Sequence, residues 1–198
     1  LMKKEFQEKL DYLTKLMSDA LKNSKHSFRI FSFGTSHNSR PNVRTVVLRD
    51  FNFKNQTFDC HSDIRSPKIK ELSDNNLIEA MFYCPDNKVQ ARISGKAKVL
   101  HENQETMSRW NTLTESSKRC YMGPYSPSDK LESYHPNIPE DFQFKNPTKK
   151  ESEIGFKNFV VIRINFDKID YLELKYSGHK RIQFNFANKE VSANWIAP

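Results

Sequence analysis

Between Lys3 and Lys22, apolar side chains recur every three or four positions, at Phe6, Leu10, Leu13, Leu16, Met17 and Leu21. That spacing predicts an amphipathic helix within residues 1–24, ended by Asn23 and Ser24. Its stripe should cover either the body of the chain or a partner subunit. Beyond it the period shortens to two. Phe28–Phe33 and Val43–Phe51 read as strands separated by a polar turn holding Gly34, Asn38 and Pro41; a second turn at Lys54–Gln56 leads into Thr57–His61. Ser66–Leu72 reads as a short helix, with Ser66 at the N-cap and Pro67 at the first helical position. Leu77–Tyr83 and Val89–Leu100 form a hairpin around Pro85-Asp86-Asn87, and Glu105–Tyr121 is a further helix with Met107, Trp110 and Leu113 on one side. Residues 123–153, rich in Pro, Ser, Lys and Asp, have little periodicity and read as a long loop, a lid or an insertion. Strands resume at Asn158–Phe166, Tyr171–Leu174 and Arg181–Phe186. Many short antiparallel strands with an N-terminal helix and two further helices predict an α+β, mainly β barrel, with residues 1–198 as one domain.

Composition adjusts this picture. Only 36% of the 198 residues are hydrophobic, but 15 Phe and 7 Tyr enlarge the apolar area available to a core. A core so dilute also suggests further burial at a dimer interface. The net charge of +8 favours anionic partners, yet Lys and Arg are dispersed and no reading motif is present, so nucleic acid is not the expected partner. Cys60, Cys84 and Cys120 are odd in number, with no CxxC or Cys/His spacing, so no metal site is expected and a reducing, cytoplasmic location fits. Leu1–Lys9 lacks the apolar stretch of a signal peptide, and no segment is apolar over a bilayer's length.

Three segments carry candidate chemistry. Arg44-Thr45-Val46-Val47-Leu48-Arg49 is a β-branched run, expected to be central and buried on at least one face, with arginine at both ends. Each guanidinium there either meets an anion or reaches back to water, and strand parity puts the two on opposite faces unless a bulge intervenes. His61-Ser62-Asp63-Ile64-Arg65-Ser66-Pro67-Lys68 gathers hydroxyls, an arginine and a lysine around a helix N-terminus. Such a terminus favours anions, although Ser66 could equally serve as the cap. Gln90 opens the strand Val89-Gln90-Ala91-Arg92-Ile93-Ser94-Gly95 and offers a donor and an acceptor together, suited to the edge of a ring.

Taken in order, RTVVLR, HSDIRSPK and VQARISG resemble the pyridoxamine 5′-phosphate oxidase-like FMN-binding split barrels. That family shows an R-x-V-x-L-[RK] strand, a short strand ending in a hydroxyl or aromatic pair, an S-x-K helix start and a Q-x-R-[IV]-x-G strand. The likeness covers residues 27 to about 126 and, more loosely, the C-terminal strands. It implies an antiparallel split barrel that binds FMN. Arg44 and Lys68 would hold the phosphate with Ser66 and Ser62, while Val46, Val47 and Arg49 would lie along the flavin. His61 stands beside Ser62 at the pair position, and Gln90 would approach the ring across a dimer or barrel groove. Ser126 matches the serine of the family's Q-S pair, where Tyr125 replaces the glutamine. The resemblance also implies a homodimer whose two subunits share each FMN.

The substrate side departs from the family. Ser108, Thr112 and Ser116 occupy the region of its Tyr, Arg and Ser substrate residues, so the arginine clamp is missing. Its R-L-H becomes Arg181-Ile182-Gln183, and Leu174 replaces an aromatic that covers the flavin. Oxidation of a vitamin B6 phosphate is therefore not expected. What remains is an FMN-dependent oxidoreductase with an altered, unidentified small-molecule substrate. The alternative is a flavin- or haem-binding protein without turnover, with His61, His101, His135 or His179 as candidate axial ligands.

Overall fold

The computed structural model describes residues 2–187 and 190–198; Leu1, at the start of the N-terminal segment, lies outside them. Helix α1 (Lys4–Lys22) buries Phe6, Leu10, Leu13, Leu16, Met17 and Ala20. These side chains join the chain's own core, which settles which surface the stripe covers. Lys9 Nζ reaches Glu173 Oε2 at 2.6 Å, and the Phe6 ring packs on Trp195 with centroids 5.4 Å apart.

The first hairpin joins β1 (Ile30–His37) to β2 (Arg40–Val47). Its turn is only Asn38-Ser39, at φ 49° and 62°, so Gly34 and Pro41 lie in strands rather than in the expected longer turn. Two consecutive left-handed residues match the twist of a hairpin, and Pro41 is tolerated because β2 is an edge strand. That edge position corrects the expectation of a central strand: Val43 is 71% exposed. The run Val43–Phe51 also breaks at Leu48-Arg49 and resumes as β3 (Asp50–Asn52), which pairs with β4 (Thr57–Asp63). At the break Leu48 N–H donates to Arg29 O and Arg49 N–H to Asp59 O, so the chain passes from one part of the sheet to the other.

Helix α2 (Pro67–Asp74) precedes the hairpin of β5 (Leu77–Cys84) and β6 (Val89–His101). The expected helix Glu105–Tyr121 is divided into α3 (Gln104–Thr112), α4 (Glu115–Lys118) and a 3-10 turn at Arg119–Tyr121. Thr114 causes the restart, its Oγ1 accepting from Ser117 N–H as a new N-cap. Residues 123–158 are mainly irregular, with 3-10 turns at Glu140–Phe142 and Glu153–Asn158 and a short helix α5 (Lys149–Ser152).

The two strands expected between 158 and 174 are one, β7 (Phe159–Glu173), followed by β8 (Lys180–Ala187) and the unforeseen β9 (Glu190–Trp195). The order is β2-β1-β5-β6-β7-β4-β3. One half of β7 pairs with β4 and the other with β8, which in turn pairs with β9. The sheet is antiparallel and split, and among the described residues it does not close into a continuous barrel. The register of β6 on β7 shifts at Ser94/Gly95. A Cβ on Gly95 would lie 2.3 Å from Asn165 O, so this bulge requires glycine. Phe28, Phe31, Phe33, Phe58 and Phe82 fill the interior, with Phe31 stacked on Phe82 at 4.6 Å.

Candidate functional site

Strand alternation decides which side chains can meet. Arg44 lies across from Phe33, and Val46 across from Phe31, so both face the core side of the first hairpin. Arg44 Nη2 donates to Glu71 Oε2 at 2.7 Å, and its Nη1 donates to Thr35 Oγ1, which itself donates to Glu71. Burial disfavours the Glu71 carboxylate, yet the hydrogen bonds from Thr35 and Arg44 outweigh it and hold the carboxyl below its usual range.

From the start of α2, Lys68 turns back over the helix end. Its Nζ donates to Ser66 Oγ at 2.7 Å and to Ser62 Oγ at 3.1 Å. Ser66 is the N-cap residue by backbone, but its hydroxyl caps no helix N–H and is left to accept from Lys68. Among the described residues no carboxylate forms an ion pair with Lys68. Burial, then the neighbouring Arg44 charge, pushes its ammonium below the usual lysine range. Arg44, Ser66, Lys68 and Glu71 line one side of a cleft of about 300 Å³, and Pro127 and Ser128 line the other. A larger hollow of about 540 Å³, between the start of α1 and β9, has Lys3 and Glu190 as its charged lining.

A second cluster forms where the chain breaks between β2 and β3. Among the described residues, the buried Arg49 Nε and both ring nitrogens of His61 have no hydrogen-bond partner. His61 faces Phe159, with ring centroids 4.8 Å apart and near-perpendicular planes. Burial, followed by the charges of Arg49, Arg109 and Arg29, depresses its imidazole to about 3. Unpartnered buried polar atoms are costly, and in native proteins a ligand or ordered water meets them. The donor set suits a group with an anionic tail and a polar ring edge: cations and hydroxyls at one place, free ring and guanidinium nitrogens at the other.

Arg44, Ser62, Ser66 and Lys68 are thus brought together, while Val46, on the same face of β2 as Arg44, packs against the core. Ser126 adjoins the cleft wall, its N–H donating to Asp129 Oδ2 at 2.8 Å, while Pro127 and Ser128 supply the lining. Val47 and Gln90 are elsewhere. Val47 pairs with Ile30 and Gln90 with Tyr83, all on the outer surface. Arg181 is on that surface too, and Asp170 already holds it through bonds of 2.9 and 2.7 Å. Trp110, on one side of the expected helix, is buried with Leu100, Phe159 and Val161 as core. Sequence reasoning missed Thr35, Glu71 and the Pro127-Ser128 wall. Glu71, three residues after Lys68 on one helix, could have been found from that spacing. Thr35 carried no such signal.

Residues 11–101 match the family model described as the FMN-binding domain of pyridoxamine 5′-phosphate oxidase. The chain is 27% identical over 146 residues to pyridoxine/pyridoxamine 5′-phosphate oxidase 2 of Arabidopsis thaliana, covering 70% of this chain and 69% of that one. It superposes on an FMN-binding protein related to pyridoxamine 5′-phosphate oxidase from Nostoc punctiforme with a TM-score of 0.74 at 20% identity, covering 92% and 95% of the two chains. PhzG from Burkholderia lata, crystallised with tetrahydrophenazine-1-carboxylic acid, gives a TM-score of 0.73 at 14% identity and covers 100% of this chain and 98% of its own. These last two likenesses concern the fold. The motifs, the split sheet and the matched segment agree: over residues 11–101 the chain is similar to the FMN-binding domain of pyridoxamine 5′-phosphate oxidase, and its fold is that of the related split barrels.

Proposed function

We propose that this protein binds FMN and works as an oxidoreductase on a substrate other than a vitamin B6 phosphate. The observation that carries the reading is Lys68, a half-buried ammonium held by two hydroxyls and open to the same cleft as Arg44. A phosphate there would replace hydration that burial has already removed, and its charge would offset the cost of holding Lys68 beside Arg44. Ser62 and Ser66 orient the ammonium. The unpartnered nitrogens of Arg49 and His61 are the donors and acceptors available to the flavin. When bound, the flavin supplies hydride chemistry, and the chain's part is to position it and keep it dry.

A homodimer fits this reading, because Gln90 faces away from the Arg44 cleft of its own chain. Ile30, Val43, Leu77, Met81 and Tyr83 share the outer face with Gln90 and are exposed and apolar. A second copy covering that face would bring its Gln90 to the first copy's flavin. The substrate side is the weaker part of the family pattern, since Arg181 is neutralised by Asp170. No described helix is long and apolar enough to cross a membrane, and a cytoplasmic location is consistent with three free cysteines. The neutral, unpartnered His61 imidazole favours haem as a second reading.

Absorbance spectroscopy separates these. The apoprotein titrated with FMN should acquire a shifted flavin spectrum and bind FMN more tightly than riboflavin. Equal affinity for the two would remove the phosphate from the cleft, and a Soret band on adding hemin, without flavin binding, would select the second reading.

A further inference from the structure

We propose that Arg65 is a positioning residue of the phosphate cleft, latching the segment 123–129 against the β4–α2 turn so that Pro127 and Ser128 face Arg44 and Lys68. The inference rests on reading that cleft as the FMN phosphate site.

The latch begins with Asp63, a carboxylate only 7% exposed. Asp63 Oδ1 accepts from Arg65 N–H at 2.8 Å and from its Nε at 2.9 Å; Asp63 Oδ2 accepts from Nη2 at 2.6 Å. This bidentate grip fixes the guanidinium plane and leaves Nη1 with one direction to point. Nη1 donates to Gly123 O at 3.0 Å, across 58 residues of sequence. Ser66 follows Arg65 directly, so one turn carries both the latch and the Ser66–Lys68 side of the cleft.

The segment that Arg65 grips is built as a rigid piece. A Cβ at Gly123 would lie 2.2 Å from Asn137 O, so only glycine permits this approach. Asn137 then brackets Tyr125 as a neighbouring strand would: its Oδ1 accepts from Tyr125 N–H and its Nδ2 donates to Tyr125 O, each at 3.0 Å. A turn closed by Ser126 and Asp129, at 2.8 and 3.1 Å, presents Pro127 and Ser128 to the cleft. Asn137 and Asp129 belong to the excursion itself. Arg65 ties it to the β4–α2 turn, and movement there would open the cleft at its phosphate end.

The test removes the latch without changing local charge. In the Asp63→Asn/Arg65→Met double variant one anion and one cation are lost together, so a direct electrostatic effect on the phosphate largely cancels. FMN affinity should fall about tenfold while riboflavin affinity changes less than about twofold, the loss lying in the dissociation rate. Trypsin should also cut the apoprotein at the exposed Lys130 faster than in the parent chain. Arg65→Lys is the milder variant: one ammonium cannot grip Asp63 and reach Gly123 O together, so it should move the FMN-to-riboflavin ratio in the same direction with the charge kept. An unchanged ratio and unchanged cleavage in a folded variant overturn the latch. If Lys68→Met also leaves the ratio unchanged, the phosphate reading has failed; if it lowers the ratio while the latch variants do not, only the latch has.

Discussion

Arg44 and Gln90 lie on opposite faces of the same sheet. Arg44 is across from Phe33, which is wholly buried, and Gln90 is across from Tyr83 on the outer surface. A ligand lying on one face of the sheet cannot touch both within a single chain. The family pattern therefore acquires a physical consequence here: a site using both residues needs a second copy.

Charge placed on the outer apolar face should break that assembly. Val43→Asp with Met81→Asp puts carboxylates on a surface whose partner would be apolar, at a cost of several kcal/mol for the buried pair of charges, on the order of 2 or more each. Sedimentation should show a dimer for the parent chain and a monomer for the variant, with FMN affinity lost in parallel. A parent chain that stays monomeric at high concentration would contradict the shared site.

Lys68→Met should weaken FMN by about 1.5–3 kcal/mol, the usual worth of a hydrogen bond to a charged group. Riboflavin, which has no phosphate, should bind as before. Because burial lowers the Lys68 ammonium from its usual range, FMN preference over riboflavin should also fade as pH rises, sooner than an ordinary lysine would allow. Titrations across the alkaline range check the sign.

His61 gives a stability signature on the acid side. Its folded value is depressed from 6.5 to about 3, so the unfolded chain takes up a proton in that window while the folded chain does not. Stability is thus full above pH 6.5 and is lost as pH falls towards 3, by as much as on the order of 4 kcal/mol. His61→Phe, which keeps an aromatic against Phe159, should flatten that part of the urea-unfolding profile. A variant as acid-sensitive as the parent would show that His61 is not the group responsible.

Gly95→Ala tests the bulge. The added methyl would meet Asn165 O and Phe166 Cα, which are backbone and cannot swing aside. A loss of about 2–4 kcal/mol in chemical denaturation is expected, the range for a forced overlap in a packed interior. Because β6 and β7 carry both parts of the sheet, the loss should appear in a single transition.

The grouping of Arg44, Ser62, Ser66 and Lys68 was implied only by the family resemblance; the sequence by itself determined the α1 stripe, the β5–β6 hairpin and the Pro67 helix start. Each of these depends on local periodicity or on a turn residue, and such signals are complete within a few positions. Tertiary structure decided the rest. Pairing partners split the run from Val43 to Phe51, made β2 an edge and merged two expected strands into β7. No local pattern records which strand lies alongside. Glu71, Thr35 and the Arg65 latch join residues 27 to 58 positions apart, so they exist only once the sheet has formed. Strand order likewise turned Val47 and Gln90 away from the cleft of their own chain, because parity fixes a side chain's face but only the assembled sheet decides which face is inside.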